Sequence, residues 1–355
     1  MNKAILQVCA YAAPYPGNFI ASLIALAESN KELGYETIFV FPETASNIDW
    51  CNNLKNDYKV YYLPLSQARL KPQTYKIMKK IYSSHDIKIA HSHFELYDMP
   101  VTVTAPKNTK VFWHLHDDLD LIYNKSNIVY KFLWKCQYAV TSKKAKLLSV
   151  SEKGKRFAVK LGFNNDNAYF IPNAIDTARL DDCNEKLDNN YDFVIYGWDY
   201  KRKGVDILVD AVAKTKISDY TCGVVSSAEV WNIIKGTPHF INQEPVKNVS
   251  ALYDATKCFL HISRQEGLSY ALLEAIYSGC AVICSDIEQN MFAEEFPSVK
   301  IIKVENSTEL AHTMDQFLTG ELNITEEMVE VSRKIIMDKY SIDSWVKNIQ
   351  KHYFS

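Results

Sequence analysis

The run Glu266 to Asp286, EGLSYALLEAIYSGCAVICSD, constrains the fold more than any other part of the chain, because a loop, a helix and a buried strand are all legible in it. Gly267-Leu268-Ser269 predicts a tight loop opening a helix, with Ser269 as N-cap. Backbone N–H groups at such a start point outward at the positive end of the helix, which makes a candidate anion site. The helix is expected to reach Ser278 and stop at Gly279, and Ala281 to Cys284 then reads as a buried strand ending in Ser285-Asp286. Glu274 falls inside this otherwise apolar helix, where a carboxylate is costly to bury unless something hydrogen-bonds it. A ligand hydroxyl is one candidate partner; a core lysine or solvent is the bland alternative. Glu266, eight positions earlier and ahead of the helix, sets a second carboxylate beside the same anion site.

The chain opens as a β-loop-α-β unit: a strand over residues 4–9, a Pro- and Gly-containing loop over 10–18, a helix over 19–33 ended by Gly34, and a strand over 37–41. That pattern predicts a doubly wound parallel sheet, whose first loop lies at strand carboxyl ends where such sheets bind ligands. Gly17 is the loop residue expected against a ligand. The loop lacks G-x-G-x-x-G, which counts against a dinucleotide-dependent dehydrogenase. Strands over 60–63, 87–91 and 111–116 follow, and the last two lead into His91-Ser92-His93 and His114-Leu115-His116-Asp117. Alternate residues of a strand share a face, so the two H-x-H pairs invite a metal reading. The alternative is that these histidines satisfy backbone groups at the sheet edge. No downstream Cys/His/Asp cluster completes a hydrolase shell, so no metal is expected; Asp118-Leu119-Asp120 fits a turn or helix start.

A strand over 147–151 and a helix over 152–161 lead to AYFIPNAID at 168–176, which closes a first domain at residue 176. Residues 177–190, TARLDDCNEKLDNN, are polar and weakly periodic and read as a linker. Phe193 to Tyr196 starts a second sheet, and Lys201-Arg202-Lys203-Gly204 leads into a helix over 205–214. Three consecutive cations before a helix N-terminus repel one another and the helix dipole unless an anion sits there, and a diphosphate would answer that; a solvated basic turn is the alternative. The second domain is expected over 191–338, with a final segment 339–355 whose helix carries Trp345, Ile349 and Tyr353 at spacings of four.

Two domains suit a chain of 355 residues. No apolar run approaches the ~18 residues of a membrane span, and MNKAILQVCAY enters a strand without a signal-peptide core, so a cytoplasmic protein is expected. Eight scattered cysteines without a C-x-x-C read as reduced thiols. The net charge of −2 conceals a split: residues 1–170 hold 22 Lys and Arg against 14 Asp and Glu, and residues 171–355 hold 18 against 28. The basic half, with KPQTYKIMKK at 71–80 and TSKKAKLLSVSEKGKRFAVK at 141–160, is a candidate for peripheral contact with an anionic membrane. These stretches lack the interleaved aromatics that base reading uses, so no nucleic acid is expected as partner.

The glutamate, glycine loop, second glutamate eight on, glycine stop and Ser-Asp strand end together resemble the donor site of the family-4 retaining glycosyltransferases with the GT-B fold. SVS at 149–151 and IPNAID at 171–176 resemble that family's interdomain passage, and GWDYKRKG at 197–204 resembles its phosphate loop. The resemblance implies two Rossmann-like domains facing across a cleft, the first for the acceptor and the second for a nucleotide-sugar donor, with the last helix returning to the first. It implies that Glu274 binds the ribose and Glu266 the transferred sugar, that Lys203 and the amides of Gly267, Leu268 and Ser269 hold the diphosphate, and that His116 lies near the sugar. Trp198 stands where the family carries an arginine, and Arg202 is the expected substitute. The implied reaction is hexose transfer with retention, without metal or cofactor, from a UDP-sugar, with GDP-mannose second, to a glycan or lipid-linked acceptor of bacterial surface polysaccharide. The alternatives are a non-catalytic subunit of the same fold, which Trp198 keeps open, and a nucleotide-sugar epimerase or phosphorylase.

Overall fold

The short apolar runs at the start of the chain stack into one parallel sheet. Its strands are β1 (Lys3–Cys9), β2 (Glu36–Pro42), β3 (Lys59–Leu63), β4 (Asp86–His93), β5 (Lys110–Leu115), β6 (Ala145–Ser149) and β7 (Ala168–Phe170), in the order β3-β2-β1-β4-β5-β6-β7. The helices between them are α1 (Gly17–Glu32), α2 (Asp49–Asp57), α3 (Pro72–Ser84), α4 (Asp98–Thr104), α5 (Leu119–Lys125), α6 (Ile128–Val140) and α7 (Glu152–Lys160). The structure is a computed structural model and describes residues 2–181, 186–246 and 248–355. β1 is buried along six of its seven residues because it lies between β2 and β4 with helices on its faces, which is why it reads as a continuous apolar run.

The second sheet is built the same way from β8 (Tyr191–Tyr196), β9 (Cys222–Val225), β10 (Phe240–Asn242), β11 (Thr256–His261), β12 (Ala281–Ser285) and β13 (Val299–Ile302), in the order β10-β9-β8-β11-β12-β13. Its helices are α8 (Thr177–Asp181), α9 (Val205–Val212), α10 (Ala228–Ile234), α11 (Val249–Asp254), α12 (Tyr270–Tyr277), α13 (Ser307–Leu318) and α14 (Glu326–Lys339). The last helix is α15 (Ile342–Tyr353). Unit 1 comprises Met1–Asn173 with Trp345–Ser355, and unit 2 comprises Ala174–Ser344, so the division falls at residue 173 and the returning segment begins inside α15. Both sheets are parallel throughout, the doubly wound α/β architecture that the alternating pattern predicts.

Three segments differ from the sequence reading. Residues 71–80, read as a basic stretch, lie mostly in α3, where Thr74, Met78, Ile81 and Tyr82 face inward at helical spacing and the lysines face out. The linker over 177–190 begins as helix α8, packed on α11 and α12; residues 182–185 of it lie outside the described residues. His91 and His93 of β4 and His114 of β5 lie on inner strands rather than at a sheet edge, and they and His116, just past β5, are buried. Among the described residues no helix is long and apolar enough to cross a membrane.

Candidate functional site

In unit 2 the loop after β8 and the loop after β11 are pressed together. Gly204 sits at the start of α9 with φ +73°, and a Cβ there would collide with the carbonyl oxygen of Ile262, so only glycine allows this approach. The Arg264 N–H donates to the Arg202 carbonyl at 2.8 Å, which ties the two loops backbone to backbone. Lys203 Nζ thereby lies 2.5 Å from Glu266 Oε1, and Arg202 Nη1 lies 3.6 Å from Glu266 Oε2. The run of cations is paired with protein carboxylates. Lys201 pairs with Asp206 at 2.7 Å, Arg202 also with Asp199 at 3.7 Å, and Arg264 grips Asp206 at 2.6 and 2.9 Å.

Burial alone would raise the Glu266 carboxyl, but His261, Lys203 and the Ser263 hydroxyl outweigh it and hold the group below the usual carboxylate range. Glu266 is therefore an ionised carboxylate enclosed by cations. His261, at the end of β11, is pushed down to about 4 by burial, and its Nε2 has no hydrogen-bond partner among the described residues. Beyond Glu266 the chain passes Gly267 and Leu268 to Ser269, whose side chain accepts from the Leu272 N–H and caps α12 as the sequence predicts.

Glu274 belongs to a second cluster. It is 6% exposed, and its carboxylate accepts from the Tyr253 hydroxyl at 3.0 Å and from Arg179. Among the described residues both oxygens have protein donors, Arg179 on Oε1 and Tyr253 on Oε2. A carboxylate oxygen accepts more than one hydrogen bond, so Tyr253 and Arg179 orient the group while leaving it acceptor capacity. Sequence reasoning missed both partners: Arg179 lies 95 residues away inside the segment read as linker.

Unit 1 holds the other predicted residues. Phe19, in the first turn of α1, packs edge-on against His93 and His116 with ring centroids 5.3 and 5.2 Å apart, which brings the helix start at Gly17 beside these histidines. Gly17 has φ +55°, a conformation that disfavours a side chain. His116 Nε2 lies 3.0 Å from His93 Nδ1, and His116 Nδ1 lies 3.3 Å from Asn173 Oδ1. The network continues from His93 Nε2 to Gln7 Oε1 at 3.0 Å, from Gln7 Nε2 to the Tyr353 oxygen at 3.0 Å, and from the Tyr353 hydroxyl to His91 Nδ1 at 2.6 Å. Burial drives His91, His93 and His114 well below the ordinary histidine range and His116 down to about 3. These imidazoles are neutral near pH 7, so His116 can orient a hydroxyl but holds no proton charge to give.

His91, His93 and His114 offer ring nitrogens within 4.8 Å of one another. The His91 and His114 rings stack with planes 4° apart and centroids 5.3 Å apart, and ring lone pairs lie in the ring plane. One ion cannot lie in both planes unless a ring turns. His93 has both nitrogens engaged, whereas His91 Nε2 and both nitrogens of His114 lack partners among the described residues. The arrangement is that of packed neutral rings.

The family model described as Glycosyltransferase Family 4 matches residues 21–179, and that described as Glycosyl transferases group 1 matches residues 191–320. No curated protein sequence matches the chain. Among solved structures, a glycosyltransferase from Rickettsia africae ESF-5 superposes with TM-score 0.80 at 16% identity, over 99% of this chain and 97% of that one. Anabaena HepE in complex with UDP gives 0.75 at 13%, over 98% and 99%. WaaG, a glycosyltransferase involved in lipopolysaccharide biosynthesis, gives 0.69 at 15%, over 98% and 99%. With one family model in each unit and this fold throughout, the chain belongs to the group 1 and family 4 glycosyltransferases and has their GT-B fold.

Proposed function

We propose that this glycosyltransferase moves a hexose from a nucleotide-diphosphate sugar to a glycan or lipid-linked acceptor of bacterial surface polysaccharide, with retention at the anomeric carbon and without a metal. A UDP-sugar is the favoured donor and GDP-mannose the second. The observation that carries the reading is the ionised Glu266 enclosed by Lys203 and Arg202 where two loops of unit 2 meet. Anabaena HepE has also been solved in complex with UDP-glucose, which supports the choice of donor. In this reading Lys203, Arg202 and the amides of Gly267, Leu268 and Ser269 stabilise the negative charge that grows on the leaving diphosphate. Glu266 accepts from hydroxyls of the transferred sugar, and Glu274, held by Tyr253 and Arg179, accepts from a ribose hydroxyl. Gly17 allows close approach of a substrate, and neutral His116 orients a hydroxyl. The acceptor loses its proton to the departing phosphate, so no protein nucleophile is involved.

The basic unit 1 is assigned a peripheral contact with the cytoplasmic face of a membrane. A thermal-shift panel of nucleotide sugars tests the donor: a UDP-hexose should raise the melting temperature, since ligand at a hundred times its Kd adds about 2.7 kcal/mol to native stability. Trp198, 45% exposed where the family arginine is expected, favours the second reading of a non-catalytic subunit. That reading holds if neither UDP nor GDP shifts the melting temperature.

A further inference from the structure

We propose that helix α6 is the element that seats this chain on an anionic lipid bilayer. The inference rests on the membrane contact proposed for unit 1 and names the surface that makes it. α6 buries one face, Trp134, Gln137 and Tyr138, against its own unit. Its other face carries Ile128, Val129, Phe132 and Val140, exposed by 82, 62, 66 and 65%, with Cys136 and Ala139 between them also exposed. Positions 128, 129, 132, 136, 139 and 140 fall on one side of a helix, so the outward stripe is continuous and apolar where a water-facing helix would be polar. Charge selects the occupant. Residues 121–151 contain six lysines, at 125, 131, 135, 143, 144 and 146, and no aspartate or glutamate. Lys125, Lys135, Lys143 and Lys144 are exposed around the stripe. The turn Thr141–Lys144 packs on α4, and α4 packs on α3, where Val103 of α4 and Lys76 and Lys79 of α3 line an open groove.

Apolar side chains ringed by cations match the acyl boundary and anionic headgroups of a bilayer surface. A second copy docking symmetrically on this stripe would set lysines against lysines with no carboxylate in the segment to answer them. A nucleic acid would meet the cations but leave Ile128, Val129 and Val140 without apolar partners.

The test is co-sedimentation of the full chain with phosphatidylcholine vesicles prepared with and without phosphatidylglycerol. The wild type should pellet with the anionic vesicles and stay in solution with the neutral ones. The double variant Ile128→Asp/Phe132→Asp should lose anionic-vesicle binding by more than about tenfold, and Lys143→Gln/Lys144→Gln should lose less and bind with weaker salt dependence. Both variants change exposed residues of unit 1, so their circular dichroism and their thermal shift with a nucleotide sugar should match wild type. A wild type that ignores anionic vesicles overturns the proposal. A double variant that binds them like wild type overturns the role of α6 while leaving a basic-face contact standing. A wild-type dimer dispersed by Phe132→Asp in sedimentation equilibrium overturns it in favour of self-association. Failure of the glycosyltransferase reading shows separately, as absence of any nucleotide-sugar shift in the same preparations.

Discussion

At the carboxyl ends of β4 and β5, unit 1 packs four histidines against one another, Gln7, Tyr353 and Asn173. At the corresponding end of β11, unit 2 packs Lys203 and Arg202 around Glu266, with Tyr253 and Arg179 holding Glu274 nearby in sequence. Both clusters are polar and both are buried, yet burial acts on them in opposite ways. In unit 1 it strips the imidazoles of charge; in unit 2 cations let a carboxylate keep its charge. A neutral cluster gives up little on desolvation but is vulnerable to protons, whereas an ion-paired cluster resists protons and is vulnerable to losing a partner.

Acid should therefore separate the two units, and this is the largest effect expected. The depressed histidines bind protons in the unfolded chain from about pH 6.5 downward but stay neutral in the folded one, so stability is full above that range and falls as pH drops toward about 3, the value for His116. Asp98, pushed up to about 7 by burial, runs the other way, as do the raised carboxyls of Glu95 and Asp117, while unit 2 holds one depressed histidine, His261, against six in unit 1, where His85 and His352 join the buried four. Unit 1 should lose stability between pH 7 and pH 5, at about 1.4 kcal/mol per pH unit for each net proton that the unfolded chain takes up, read by hydrogen exchange peptide by peptide. The contrast breaks down if unit 2 opens first.

Removing a partner attacks unit 2. Lys203→Met leaves Glu266 enclosed without its nearest cation and should cost about 3–5 kcal/mol in urea unfolding, with transfer lowered well over tenfold. Adding Glu266→Gln should restore most of the stability but none of the transfer, which separates the structural from the chemical use of the pair. Tyr353→Phe should cost unit 1 about 1–3 kcal/mol, because Gln7 and His91 lose a shared buried partner. The smallest effect is His114→Phe. Neither ring nitrogen of His114 has a partner among the described residues and the ring stacks on Trp345, so an apolar ring should stabilise by about 1 kcal/mol and flatten the acid response. A loss of several kcal/mol there would mean that the His114 nitrogens are used.

The features read correctly from sequence are those whose physics is local. β1, β11 and β12 are buried on both faces and appear as apolar runs, and α12 announces itself through Ser269 and Gly279. The glycine loop and both glutamates were legible for the same reason. What stayed hidden depends on distant partners. Arg179 and Tyr253 meet Glu274 only through the fold, and the carboxylates that neutralise Lys201 to Lys203 include Glu266, more than sixty positions on. Helix α6 was not anticipated because it is apolar on both sides, which erases the periodicity a helix normally shows. The paired histidines were visible, but nothing local told that their strands are inner ones.

Tyr353 also fixes when unit 1 can finish forming. Unit 2 is one continuous stretch, whereas unit 1 needs Trp345–Ser355 to seal its histidine face. A nascent chain emerging from the ribosome therefore carries an unsealed amino-terminal half through the synthesis of more than 170 further residues. Clipping a dozen residues from the carboxyl-terminal end would reopen the interior of the half made first.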